Sequence, residues 1–126
     1  MNAGTDVDPQ LRLERALARF LAAYQARPDL VAEQRGWCPV IALSASDAPA
    51  RVMVALDDGR VAPAAAGWIV PGVPTLEVLG ALDTLCDVLG LRLDPNEPYL
   101  FGELSVQGAE ADFVRLDYIV SRLCPQ

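Results

Sequence analysis

Residues 51–66, RVMVALDDGRVAPAAA, contain the pattern that decides the fold. Val52, Val54 and Leu56 alternate with other residues, which is typical of a half-buried β-strand. Asp58-Gly59 follows at once, and an Asp-Gly pair between two such runs is the strongest short-range signal for a hairpin. We therefore expect residues 51–66 to form an antiparallel β-hairpin.

A helix is predicted upstream of this hairpin. Asp8 and Pro9 form a helix start, because Asp is a good N-cap and proline is tolerated at the first helical position. Apolar residues at positions 13, 17, 20, 21 and 24 share one face, so we expect an amphipathic helix that ends near Arg27. Asp29 caps a second helical turn that extends to about Arg35, and a strand over residues 38–46 leads to the hairpin.

A long helix is predicted downstream of the hairpin, after a short strand at residues 68–70. Leucines at positions 76, 79, 82, 85 and 89 form an apolar stripe from Thr75 onward, and Gly90 is a natural helix end. The chain then continues with a strand over residues 103–107 and a closing amphipathic helix over residues 110–123.

This order of elements predicts an α+β fold with a mostly antiparallel sheet of about five strands and with helices packed on one face. Residues 1–8 are small and polar, and we expect them to be disordered. Residues 9–124 are expected to form a single domain, since 126 residues with 52% apolar side chains suffice for one core.

Composition excludes several classes of function. The chain has 10 Lys+Arg against 17 Asp+Glu, a net charge of −7, so nucleic acid is a poor partner. Neither His nor Lys occurs, which removes the usual general base, the Ser-His and Cys-His pairs and Schiff-base chemistry. Nothing in the sequence therefore favours catalysis, and we expect a protein that is not an enzyme.

The remaining reactive residues have simpler explanations. Cys38, Cys86 and Cys124 are widely spaced and odd in number, which indicates free thiols rather than a disulfide framework or a metal site. The Asp57-Asp58 pair lies in the predicted turn, where Asp stabilises the backbone. No secretory signal or membrane-length apolar run is recognisable. We expect a cytoplasmic protein without an integral membrane segment, metal or cofactor.

Three helices compete for one face of the predicted sheet. Their apolar sides leave either a filled core or an apolar cleft between sheet and helices. These two outcomes remain open from the residues alone.

The C-terminal third resembles a known family. Leu93-Asp94-Pro95, then YLFGELSVQG over residues 99–108, then an amphipathic helix, resembles the end of the sterol carrier protein 2 family. That family has a Gly-x-x-Asp-Pro stretch, an aromatic residue, a Gly-Lys-Leu strand and a closing helix, and its upstream order of elements is also similar. This chain departs from the family at Glu103, where Lys is usual, and at Ala109, where Asp is usual.

The resemblance implies a small α+β domain that holds a lipid-like molecule in an apolar tunnel between sheet and helices, without catalysis or metal. Carried onto this chain, the tunnel lining comprises Leu82, Leu85, Tyr99, Phe101, Phe113, Leu116 and Val120. The candidates for a contact to the ligand's polar end are Tyr24, Tyr99, Trp68 and Arg51.

The leading hypothesis is non-enzymatic binding, carriage or presentation of a hydrophobic molecule, lipid-like or isoprenoid. The alternative is a protein–protein interaction or dimerisation module that uses the apolar helix faces without a small ligand, with a homodimer formed through the first or last helix. A third hypothesis is a subunit that supplies a lipid-like substrate to a partner enzyme.

Overall fold

A five-stranded sheet organises the molecule. The computed structural model describes residues 8–61, 70, 72–92 and 102–123. The strands are β1 (Val40–Ala45), β2 (Arg51–Asp57), β3 (Arg60–Val61), β4 (Leu76–Gly80) and β5 (Leu104–Gly108). Their spatial order is β3-β2-β1-β4-β5, in which β1 and β4 run parallel and the other neighbouring pairs run antiparallel. The predicted α+β fold with a mostly antiparallel sheet is confirmed.

Helices cover one face of this sheet. The described helices are α1 (Pro9–Gln25), α2 (Pro28–Glu33), α3 (Leu82–Leu89) and α4 (Glu110–Leu123). The face of α1 predicted from its periodicity is buried, and it joins one core with the inward strand residues Val52, Val54 and Leu56. α1 begins at Pro9 as predicted, although the Asp8 side chain forms no capping hydrogen bond.

The hairpin that the Asp-Gly pair predicts is present in its described part, where the end of β2 pairs antiparallel with β3, Leu56 with Val61 and Asp57 with Arg60. Asp58 and Gly59 have φ angles of 56° and 79°, the left-handed values that a two-residue type I′ turn requires. A Cβ atom at Gly59 would lie 2.7 Å from the backbone oxygen of Gln34, so the turn packs closely against the end of α2. Residues 62–66 of the predicted hairpin and residues 68 and 69 of the predicted strand lie outside the described residues, as do residues 1–7.

The single helix predicted from Thr75 to residue 89 is wrong in its first half. Residues 76–80 form β4 instead, with Leu76 and Val78 buried and Glu77 exposed. Leucines at 76, 79 and 82 fit a helical period, but Leu76 and Val78 also alternate, and this strand satisfies its backbone by pairing with both β1 and β5.

The later start of α3 has a tertiary cause. The backbone N–H of Leu82 donates a hydrogen bond of 2.9 Å to Oδ1 of Asp47, which lies in the loop between β1 and β2. A helix begins with unsatisfied N–H groups, so this carboxylate caps α3 from another part of the chain.

Candidate functional site

An apolar cavity of about 50 Å³ lies between the sheet and helices α1, α3 and α4. Among the described elements, helices α1, α3 and α4 and strands β1, β2, β4 and β5 contribute aliphatic or aromatic side chains to its wall. The lining consists of Leu17, Phe20, Leu21, Tyr24, Trp37, Ile41, Leu43, Val54, Leu56, Val78, Leu85, Val88, Leu89, Leu104, Phe113, Leu116, Ile119 and Val120.

Only two of these lining side chains carry polar atoms, and both atoms are already bonded. The Tyr24 hydroxyl donates a hydrogen bond to the backbone oxygen of Gly59, and Trp37 Nε1 donates to Asp112 Oδ1 at 2.8 Å. Burial raises the pKa of Tyr24, which keeps the phenol protonated. The described wall therefore presents only apolar surface to the cavity.

Four of the seven residues predicted to line a tunnel come together around this cavity: Leu85 from α3 and Phe113, Leu116 and Val120 from α4. Leu82 is buried in the same core but lies at the start of α3, away from the cavity lining. Tyr99 and Phe101 lie outside the described residues.

Other wall residues are not among those that the sequence predicts as lining. The buried face of α1 contributes four of them, and its periodicity already predicted that this face would be buried. Ile119 is next to Val120 and equally buried, at 2% exposure each. Trp37 reaches the wall from the segment before β1, and its contact with Asp112 spans 75 residues, so no local pattern identifies it.

The predicted contacts to a ligand's polar end are not supported by the described residues. Arg51 lies on the opposite face of the sheet, where it donates to Ser44 Oγ at 2.8 Å and pairs with Glu77 at 3.5 Å. The Tyr24 hydroxyl is occupied by Gly59. Trp68 and Tyr99 lie outside the described residues. Because Arg51 lies on the opposite face of the sheet, its side chain cannot reach the cavity.

Polar contacts at the rim hold α4 to α2. Arg115 donates a hydrogen bond to Oε1 of the buried Gln34 at 3.1 Å. Its guanidinium carbon lies 5.7 Å from the centroid of the Trp37 ring. Tyr118 donates to Glu33 at 3.0 Å. The side of α4 that faces the cavity is apolar. Polar side chains on the flank of α4 hold the helix against α2 and the residue after it.

The cavity is small compared with known ligand sites. Pockets for drug-sized ligands have volumes of about 300–1,000 Å³, several times the volume found here. Phe113 and Leu116 are only partly buried, whereas the wall residues from α1 are fully buried. A ligand as long as a lipid chain would have to move part of the wall, and the first half of α4, with Phe113 and Leu116, is its least buried described part.

Two further properties concern the described ranges alone. No group of three or more Cys, Asp or Glu residues there is arranged to hold a metal ion. None of the helices in those ranges has the length and apolar character needed to cross a bilayer.

Comparison with known proteins gives a match at the level of structure. No family model and no curated protein matches the sequence. The sterol carrier protein domain 2 of Helicoverpa armigera aligns over 90% of this chain and 87% of its own, with a TM-score of 0.62 and 13% identity. Palmitated SCP2L2 from Aedes aegypti aligns over 90% of this chain and 95% of its own, with a TM-score of 0.58 and 18% identity.

The same fold also matches part of an enzyme. The stereoselective inverting sec-alkylsulfatase Pisa1 from Pseudomonas sp. aligns over 78% of this chain and 14% of its own, with a TM-score of 0.54 and 15% identity. At these identities each likeness concerns the fold alone. The chain therefore has the fold of the sterol carrier protein 2 domains, as its sequence predicts.

Proposed function

We propose that this chain binds a hydrophobic, lipid-like molecule between the sheet and helices α1, α3 and α4, and carries or presents it without catalysing a reaction. The observation that carries this proposal is the wall of the cavity, which is apolar throughout its described part and has both of its polar atoms bonded to protein. Burial of apolar ligand surface supplies affinity of about 25 cal/mol per Å².

The wall also selects against polar ligands. A polar group that enters the cavity loses its hydrogen bonds to water and finds no free donor or acceptor on the described lining residues. Such burial costs roughly 1–3 kcal/mol per group in proteins. An aliphatic or isoprenoid chain avoids this cost, so it is the ligand class that fits.

The proposed site combines the α4 residues Phe113, Leu116 and Val120 with Leu85 and the buried face of α1. Tyr99 and Phe101 stay predictions for the same lining, whereas Leu82 lies in the core outside it. Because the closed cavity measures about 50 Å³, we infer that binding displaces α4 outward from the sheet. Phe113 and Leu116, in the first half of α4, give up less packing than the other described wall residues, among which Ile119 and Val120 of the same helix are fully buried.

Two of the structural neighbours support this reading by what they are: a sterol carrier domain and a palmitated protein. The match to part of an alkylsulfatase supports a related role, in which a domain of this fold serves a catalytic partner. The absence of His and Lys from the sequence favours a non-enzymatic role for this chain itself. We propose a cytoplasmic location on the sequence features alone.

The substitution Leu116→Trp tests the proposal. A larger side chain at this wall position should occupy space that the ligand needs, so that a fatty acid displaces a fluorescent apolar probe less well. Val114→Trp is the matched control, because Val114 is on the same helix and is 59% exposed. The control should leave both probe binding and thermal stability as in the parent protein.

Three results can be distinguished when probe binding, thermal stability and native mass are measured together. Loss of uptake in a folded Leu116→Trp variant supports the carrier role. A parent that takes up no apolar probe, with a variant that simply melts earlier, shows a filled core, since overpacking typically costs about 1–3 kcal/mol. A change in assembly mass without any ligand would instead support the dimerisation module.

A further inference from the structure

A groove lined by arginines lies on the outer side of the packing between α1 and α3. It contains Arg12, Arg15 and Arg19 from α1 and Arg92 just after α3, above a floor that includes Ala16, Cys86, Leu89, Gly90 and Leu91. The groove thus gathers four of the chain's ten basic residues, although the chain as a whole carries a net charge of −7. Such a concentration of positive charge in an acidic protein calls for an explanation.

Intramolecular ion pairs account for half of this charge. Arg12 pairs with Asp83 at 2.8 Å, and Arg92 pairs with Asp87 at 3.0 Å. Arg15 and Arg19 are exposed and form no salt bridge with any residue in the described part of the chain. They are four residues apart on one helix, where like charges repel each other by a few tenths of a kcal/mol.

Leu89 connects this groove to the apolar cavity. It is the one described residue that lines both spaces, and its side chain is 5% exposed. An aliphatic side chain is held there by packing alone and can change rotamer without breaking a hydrogen bond. Movement of Leu89 would therefore open a path from the arginines to the cavity.

A second groove offers a direct comparison. Tyr24 lines both the cavity and a groove between α1 and α2 that contains Arg35 and Arg60. There the separating side chain is tied by its hydroxyl to the backbone oxygen of Gly59. Opening that path would leave buried polar groups unpaired, which is costly. The route past Leu89 requires no such loss.

We propose that the groove between α1 and α3 binds the anionic head group, a carboxylate or a phosphate, of a ligand whose apolar tail passes Leu89 into the cavity. This inference rests on the proposed function, because it assumes that the cavity takes a tail. The cavity wall has no free polar atom among its described residues, so a charged head must remain outside it. The guanidinium groups of Arg15 and Arg19 suit such a head, because each can donate two parallel hydrogen bonds to one oxyanion.

The test compares ligands that differ only in the head group. Dodecanoic acid, dodecyl phosphate and dodecanol are titrated, below their aggregation concentrations, against the parent protein loaded with a fluorescent apolar probe. The parent should bind the acid or the phosphate at least about tenfold more tightly than the alcohol, because one charge-assisted hydrogen bond changes the affinity by about that factor. Added salt should weaken the binding of the anionic ligands, because it screens their attraction to the arginines, and should leave the binding of the alcohol unchanged.

The double variant Arg15→Gln/Arg19→Gln should lose this preference while its alcohol affinity stays as in the parent. Arg35→Gln/Arg60→Gln removes the same charge from the other groove and is the matched control, which should keep the preference. All four residues are exposed, so folding should survive. The acid and phosphate arms show which head group is preferred.

The two proposals fail in different ways. Equal affinity of the parent for acid, phosphate and alcohol overturns the head-group site but leaves an apolar carrier. An equal loss of preference in both double variants also overturns it, because the effect would then be one of net charge. A parent that binds none of the three ligands overturns both proposals.

Discussion

The substitution Gly59→Ala tests how closely the hairpin turn packs against α2, with Gly36→Ala as its control. Both glycines have left-handed backbones, with φ of 79° at Gly59 and 86° at Gly36. They differ in their surroundings. A Cβ atom at Gly59 would lie 2.7 Å from the backbone oxygen and 2.8 Å from the Cβ of Gln34, whereas one at Gly36 would meet nothing within 4 Å.

This difference sets the expected magnitudes. A non-glycine residue in the left-handed region costs about 1–2 kcal/mol, and replacing glycine by alanine recovers about 0.4–1 kcal/mol through the unfolded chain. Gly36→Ala should therefore lose about 1 kcal/mol. Gly59→Ala bears the same strain and must also push apart the turn and Gln34, at a typical overpacking cost of about 1–3 kcal/mol, so we expect a loss of about 3 kcal/mol in total.

Urea unfolding of the parent and both variants measures these free energies. Thermal melts should agree, with a lower melting temperature of roughly 4 °C for each kcal/mol lost. Equal losses for the two variants would refute the close contact between turn and helix, since the two glycines share a left-handed backbone and differ in the space that a Cβ atom would find.

Two further predictions concern buried groups. Tyr24→Phe should lose about 1–2 kcal/mol in urea unfolding, because the buried oxygen of Gly59 loses its hydroxyl donor. Burial also raises the pKa of Tyr24 above its ordinary value of 10.0; the parent's stability should therefore fall as the pH rises beyond about 10, where the unfolded phenol ionises first. A Tyr24→Phe variant with the same alkaline pH dependence would contradict this assignment. Cys86 should resist iodoacetamide in the folded protein while Cys38 reacts, because Cys38 is exposed and burial raises the pKa of the Cys86 thiol; equal labelling rates in peptide-resolved mass spectrometry would contradict it.

Local patterns predicted those elements whose signals need no partner from elsewhere in the chain. Pro9 and the apolar period of α1 predict that helix, and Asp58-Gly59 predicts the turn between β2 and β3 because left-handed backbone is most accessible to such a pair. The apolar face of α4 was predicted in the same way. The resemblance to the sterol carrier protein 2 family agreed with the fold that the tertiary structure has.

The sequence did not determine where the strand β4 ends and α3 begins. Leucines at 76, 79 and 82 satisfy a helical period, while Leu76 and Val78 satisfy an alternating period over the same short segment. The choice between helix and strand there depends on hydrogen bonds to β1 and β5. The first helical residue, Leu82, is set by the carboxylate of Asp47, which lies 35 residues earlier.

The candidate site depends on tertiary structure in the same way. The sequence determined that the helices have apolar faces, and so that an apolar interior forms, because the period of a helix is a local property. Only the tertiary structure decided that Trp37 joins this wall through Asp112, that Arg51 lies on the opposite face of the sheet, and that Leu89 lines both the cavity and the arginine groove. These contacts join residues that are distant in the chain, and their positions follow from how the sheet and helices pack rather than from any pattern within one element.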